Sequence, residues 1–250
     1  IPYRGQKRLH TIVGLGVGLA TITWAFSGLL SMDPFPSLTG PRPRGVRQGR
    51  GPNLPAALRT PVDLGTFAAK PPQQALAELP PGRVKQLELA GFAGSFHYLA
   101  TLDDDTTRVV PLDGPVRHDI GAEAVVAFVR SVVPPQELAR AEVLDRYDLY
   151  YLDRRGTRPL PVVRVTLSDA DHTRYYIDPA TGRLAGAYSD RNWVTRWLYH
   201  GLHSLDFPWL YTHRPLWDIV VIAFMVGGTL RSEEHTSELQ SRLHLVCRLL

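Results

Sequence analysis

Histidine is the residue type in this chain best suited to chemistry. Nine occur in 250 residues, and an imidazole can transfer a proton near neutral pH or hold a metal through either ring nitrogen. Three cluster at His200, His203 and His213, and His10 stands apart near the N-terminus. A spacing of three places His200 and His203 on one side of an α-helix, so a centre needing ligands from opposite sides must take its second from elsewhere. The competing role is anchoring. Trp193, Trp197, Trp209 and Trp217 share this window with Tyr199 and Tyr211, the aromatic belt expected where a chain meets lipid head groups. His97, His118 and His172 fall in polar, strand-forming sequence, and His235 and His244 lie near the C-terminus. No HExxH, GxSxG or phosphate-binding glycine motif stands in its proper context, since GLGVGLA at 14–20 is part of an apolar run. Asp103, Asp104 and Asp105 lie between two strand-like runs and read as a solvated turn. The single cysteine, Cys247, excludes a disulfide framework and a thiolate zinc site. A net charge of +4, dispersed along the chain, gives no argument for nucleic acid.

The elements that would position these histidines differ sharply in composition. No charged side chain occurs between Arg8 and Asp33, and Thr11–Leu30 is long enough to cross a bilayer at about 1.5 Å per residue. The run predicts a transmembrane helix over 11–31, in which Gly14, Gly16 and Gly18 let a neighbouring helix approach. Arg4, Lys7 and Arg8 put the flank 1–10 on the cytoplasmic side. The second apolar run, Ile219–Leu230, is cut short by Arg231 and predicts a truncated span over 215–230, preceded by an interfacial amphipathic segment at 191–214. The last stretch, 231–250, is abruptly polar without a helix or strand period, and reads as an artefactual tail to be set apart from the fold. Without its three Arg and three Glu the charge is unchanged, and the remaining chain has no cysteine.

Residues 32–65 are rich in proline and carry Arg42, Arg44, Arg47 and Arg50, the composition of a linker or extended arm. From about residue 66 the pattern becomes α+β and occurs twice, over 66–118 and 119–190. A helix at Pro72–Leu79 precedes strands at Arg83–Leu89, Ser95–Leu102 and Thr107–Pro111. A stronger helix, Gly121–Val132, carries Ala124, Val125, Phe128, Val129 and Val132 on one face and precedes strands at Glu142–Leu152, Pro161–Leu167, Thr173–Ile177 and Leu184–Tyr188. Each half predicts a helix packed on an antiparallel meander. In YYIDPATGRLAG, residues 175–186, turn chemistry accounts for Asp178, Pro179, Thr181 and Gly182.

That DPATG hairpin closing an α+β unit resembles a PepSY domain. KRLHTIVGLGVGLATITWAFSG before it and RWLYHGLHSLDFPWLYTHRPLWDIVVI after it resemble the PepSY-associated transmembrane family. The likeness covers roughly 3–230, and RWLYHGLHSLDFP is its most specific part. It implies a bacterial inner-membrane protein with a periplasmic α+β domain of two PepSY-like units, flanked by transmembrane helices. Several family members are haem-containing reductases of ferric siderophores, and others have no assigned activity. The resemblance thus implies haem b, with His200 and His203 as candidate axial ligands, His213 and His10 as further candidates, and a ferric chelate as periplasmic partner. Two imidazoles from different helices would hold such a haem. His10 lies at the opposite membrane face, so it would need a ligand from another helix. The alternative is a non-enzymatic anchored module whose PepSY region grips a peptide, a protease or a transporter partner.

Overall fold

The computed structural model describes residues 6–32, 53–60, 65, 69–153, 156–192 and 195–229. Most of the predicted linker, the flank 1–5 and the tail 231–250 lie outside the described residues. The chain divides into two compact units, 41–190 and a second formed by 1–40 with 191–250. Within 41–190 the fold is mixed α+β with antiparallel sheets, as the alternating patterns require.

Helix α2 (Leu54–Leu58) falls inside the predicted linker. Asn53 caps it, its Oδ1 accepting from Ala56 N at 3.1 Å, and Pro55 occupies the first turn, where no backbone donor is needed. Leu54 and Leu58 are buried, so this part of the arm belongs to the core. Helix α3 (Pro72–Ala77) then precedes β1 (Val84–Phe92), β2 (Ser95–Leu102) and β3 (Thr107–Pro111), which form a meander in the order β1-β2-β3. Side chains alternate across this sheet. Tyr98, Ala100 and Val110 pack beneath Ala75 and Leu79 on one face, where the Tyr98 hydroxyl donates to Lys70 O at 2.7 Å. His97 and Leu99, paired with Pro111 and Val109, lie on the other face.

In the second half α4 (Ala122–Val132) precedes β4 (Leu138–Leu144), β5 (Val162–Leu167), β6 (Arg174–Ile177) and β7 (Leu184–Tyr188), in the order β4-β5-β6-β7. Val125, Val129 and Val133 close over Val163, Val165, Leu167 and Ile177, and the same cluster contains Leu54, Leu58 and Phe92. The core of the second half therefore takes in Phe92 from β1 and two leucines of the arm, while the first sheet and α3 keep a cluster of their own. The expected strand Glu142–Leu152 is corrected by the structure, because the strand ends at Leu144 and 145–152 folds back across the sheet's second face. Asp148 turns the chain there, its Oδ1 accepting from Tyr150 N at 2.9 Å and Tyr151 N at 2.8 Å. Its Oδ2 accepts from the Tyr176 hydroxyl and from Arg164 Nη1, both at 2.7 Å. Tyr151 stacks on Tyr176 with ring centroids 4.7 Å apart. A tyrosine-rich run that could have extended the strand thus becomes a lid over Tyr176.

The DPATG hairpin joins the halves. Asp178 accepts from Ala180 N at 2.9 Å and from the Thr181 hydroxyl at 2.7 Å, and Gly182 follows at φ 68°. Pro179 O accepts from the backbone of Ile120 and Gly121, both at 3.1 Å, at the start of α4. Arg183 Nη2 reaches Glu88 on β1 at 2.5 Å. At the β2–β3 turn, Arg83 pairs with Asp103 and Asp104, and Lys85 with Asp105, so the acidic run is a solvated turn as expected.

The other unit contains α1 (Gln6–Ser31), a π-helix at Thr195–His203, a short helix α5 (Pro208–Tyr211) and a helix α6 over 216–229. Among the described residues, no helix is long and apolar enough to cross a membrane. Leu15, Leu19, Ile22, Trp24, Phe26 and Leu29 of α1 are nonetheless exposed, as are Ile219, Ile222, Phe224 and Met225 of α6. Close approach occurs at Gly227, where a Cβ would stand 3.1 Å from Val17, and at Gly28 against His203, whereas nothing lies within 4 Å of Gly16 or Gly18.

Candidate functional site

The π-helix packs on α1. Single π-helical windings are rare and recur at functional sites. Their i→i+5 bonding widens the turn, so residues three apart no longer stack on one side. His203 accordingly faces α1 while His200 is exposed. This differs from the shared face that α-helical spacing suggests.

The His203 ring lies between two aromatic rings. Its centroid is 5.2 Å from Trp24 at an interplanar angle of 16°, and 5.2 Å from Tyr199 at 26°. Gly28 makes the approach possible, because a Cβ there would stand 3.4 Å from His203 Cε1. Nδ1 lies 3.3 Å from Ser27 Oγ and 3.3 Å from Trp24 O. The Ser27 hydroxyl already donates to Trp24 O at 2.8 Å, so both neighbours of Nδ1 are acceptors. Trp24 O can only accept, so a hydrogen bond at that contact has Nδ1 as donor, and the neutral ring in this tautomer keeps its lone pair on Nε2. A histidine that ligates a metal is commonly fixed this way, its other ring nitrogen donating to a backbone carbonyl.

His213 has the same tautomer, with Nδ1 at 2.6 Å from Trp209 O, but its side chain is exposed. His200 Nδ1 lies 4.0 Å from Asp206 Oδ2 and its ring is tilted against Tyr199 at 5.0 Å. His10 belongs to α1 and its side chain lies outside the described residues. Its backbone stands about 25 Å along the helix from Ser27 at 1.5 Å per residue. Arg196 is buried with its guanidinium 5.0 Å from the Trp197 ring, and Nη2 donates to Asp206 O at 2.8 Å. That bond ties the π-helix to the turn that follows it.

Sequence reasoning named His203 but not Trp24, Ser27 and Gly28, which pack around it. A serine and a glycine at adjacent positions in an apolar helix were the available signal, since small and polar residues in such helices mark where another element packs. Among the described residues no three His, Cys, Asp or Glu side chains converge to hold a metal ion. Haem iron asks less of the protein, because the porphyrin fills four positions and one imidazole suffices on each side. No protein-family model, no curated protein and no solved structure matches the chain.

Proposed function

We propose that this chain is a bacterial inner-membrane protein of the PepSY type, with His203 as an axial ligand of haem b and the domain 41–190 in the periplasm. The observation that carries the reading is the placing of Trp24 O and Ser27 Oγ at Nδ1 of His203, which favours the tautomer whose Nε2 keeps its lone pair. Bound haem would supply one-electron chemistry, here directed toward a ferric chelate outside the membrane. Trp24 and Tyr199 hold the imidazole plane and Ser27 sets its rotation. A second imidazole would be needed, and His213, in the turn between α5 and α6 with Nδ1 against Trp209 O, is the candidate within this chain. His10 would serve a separate haem at the other face.

Membrane residence is supported by the exposed apolar side chains of α1 and α6. It is supported also by how α1 handles its hydroxyls. Thr21 and Thr23 donate to Val17 O and Leu19 O at 2.9 and 2.8 Å, and Ser27 to Trp24 O, which satisfies each donor without water.

The test is an absorbance spectrum of the full chain purified from membranes of iron-limited cells. A Soret band is expected in the parent, lost in His203→Ala and largely kept in His200→Ala. A parent without the band, or a His203→Ala variant that keeps it, overturns the assignment. A second reading, an anchored binding module without haem, is favoured by β4 and β7. They end the four-stranded sheet without a further ladder partner among the described residues, and either could accept an added strand. Crosslinking to one stable protein, without a Soret band, would support that reading instead.

A further inference from the structure

Helix α4 presents two different stripes. Val125 and Val129 are buried in the core of the second half, whereas Ala124, Ala127 and Ser131 are exposed along a cleft of about 860 Å³. Opposite them stands the face of the first sheet that α3 does not cover, with His97, Val109 and Pro111, and the rings of Phe92, Phe96 and Phe128 complete the walls. A concave, mostly apolar space of this size with few polar groups is the usual form of a small-molecule site.

His97 is the feature that packing does not explain. It is only 6 % exposed, it lines the cleft, and its Nε2 is buried without a hydrogen-bond partner. A buried polar atom normally finds a partner. Burial, and secondarily the nearby Arg183, holds the imidazole below its ordinary value, so the ring is neutral at pH 7. Arg183 itself is paired with Glu88. The lining carries two carboxylates and one guanidinium, so it offers no net positive charge to balance an anionic ligand. Asp113, Asp119 and Arg117 line the cleft as exposed side chains of both signs.

We propose that this cleft binds a small aromatic molecule bearing a neutral hydroxyl group, a phenol or aromatic alcohol, with the ring among the phenylalanines and the hydroxyl bonded to His97. A hydroxyl both donates and accepts, so it completes the imidazole in either tautomer. The stripe of small residues on α4 leaves the ring its room. This site lies wholly within 41–190 and does not depend on haem at His203.

The test is fluorescence titration of the full chain in phosphatidylcholine nanodiscs, corrected against empty discs, with 2-naphthol, naphthalene and 2-naphthoate as probes. One 2-naphthol per chain is expected to bind saturably, roughly three- to tenfold tighter than naphthalene, the range a single hydrogen bond supplies. The charged 2-naphthoate should bind weakest. His97→Leu is expected to remove the preference for naphthol over naphthalene. Ala127→Leu, at an exposed position that leaves the valine stripe intact, should abolish binding of both with unchanged circular dichroism. Absence of saturable naphthol binding, equal affinity for naphthalene in the parent, or an Ala127→Leu variant that binds normally would overturn the proposal.

Discussion

Alanine at Gly182 is expected to destabilise the 41–190 unit through two separable effects, and Gly82 provides the control. Both glycines hold left-handed backbone, at φ 68° and 73°. A Cβ in that conformation costs about 1–2 kcal/mol. At Gly82 nothing lies within 4 Å of the added atom, so the backbone cost stands alone. At Gly182 the atom would meet Phe92 Cδ2 at 2.5 Å and Ile120 Cδ1 at 2.8 Å, so side chains of the core must shift. Overpacking of this kind costs roughly another 1–3 kcal/mol. With about 2–4 °C of Tm per kcal/mol for a unit of this size, Gly82→Ala should lower Tm by about 3–6 °C and Gly182→Ala by about twice that. Thermal unfolding of the full chain, followed by circular dichroism, measures both. Adding Phe92→Leu to Gly182→Ala relieves part of the clash, so the double variant should be more stable than the sum of the two single losses allows. Equal effects at Gly82 and Gly182, together with additive losses in the double variant, would refute the view that the DPATG hairpin is wedged between the two repeats.

Two further perturbations address the same unit. Asp148→Asn removes a carboxylate whose burial raises its pKa, but which bonds from Tyr151 N, the Tyr176 hydroxyl, Tyr150 N and Arg164 bring below the ordinary aspartate value. The folded pKa is the lower one, so its contribution is complete above the unfolded value near 3.9 and is lost as pH falls through the folded value. The variant should unfold about 2–3 kcal/mol more easily near pH 7, with the gap to the parent closing below about pH 4 in denaturant titrations; a gap independent of pH would count against a charged role. Leu54→Ala removes a side chain with no exposure and should cost about 2–5 kcal/mol, whereas a loss under about 0.5 kcal/mol would mean that 53–58 is a linker after all.

Much of the fold was legible because local chemistry and burial agree. Alternating apolar residues marked β2 and β3 to the residue, and the Asp-Pro-x-Thr-Gly order marked the hairpin turn. The misreadings occur where a tertiary partner decides the outcome. Asn53-Leu54-Pro55 carries a legible cap and a first-turn proline, but the surrounding prolines outweighed that short signal until Leu54 and Leu58 were found in the core. Tyr147–Leu152 has strand-forming composition, yet Asp148 has a better use than a ladder position, since Arg164 and Tyr176 on β5 and β6 supply it with donors. Neither partner is near in sequence.

The same distinction explains the histidines. Their type and clustering were visible in the sequence, but a ligand is defined by which nitrogen is free, and that depends on what faces the other one. His200 and His203 are equivalent by composition and by α-helical spacing. The π-helical winding separates them, giving His203 two acceptors on α1 and leaving His200 exposed. His97 shows the converse. Its sequence context, inside a regular strand, suggested an ordinary structural position, and the strand is indeed regular. What sets it apart is the lack of a partner for Nε2 in a face that the second repeat only partly covers. The two halves meet through Phe92, Gly182 and the valines of the second half, and beside the small stripe of α4 a cleft stays open. An imperfect match between the two halves thus leaves both the space and the unsatisfied imidazole in the same place.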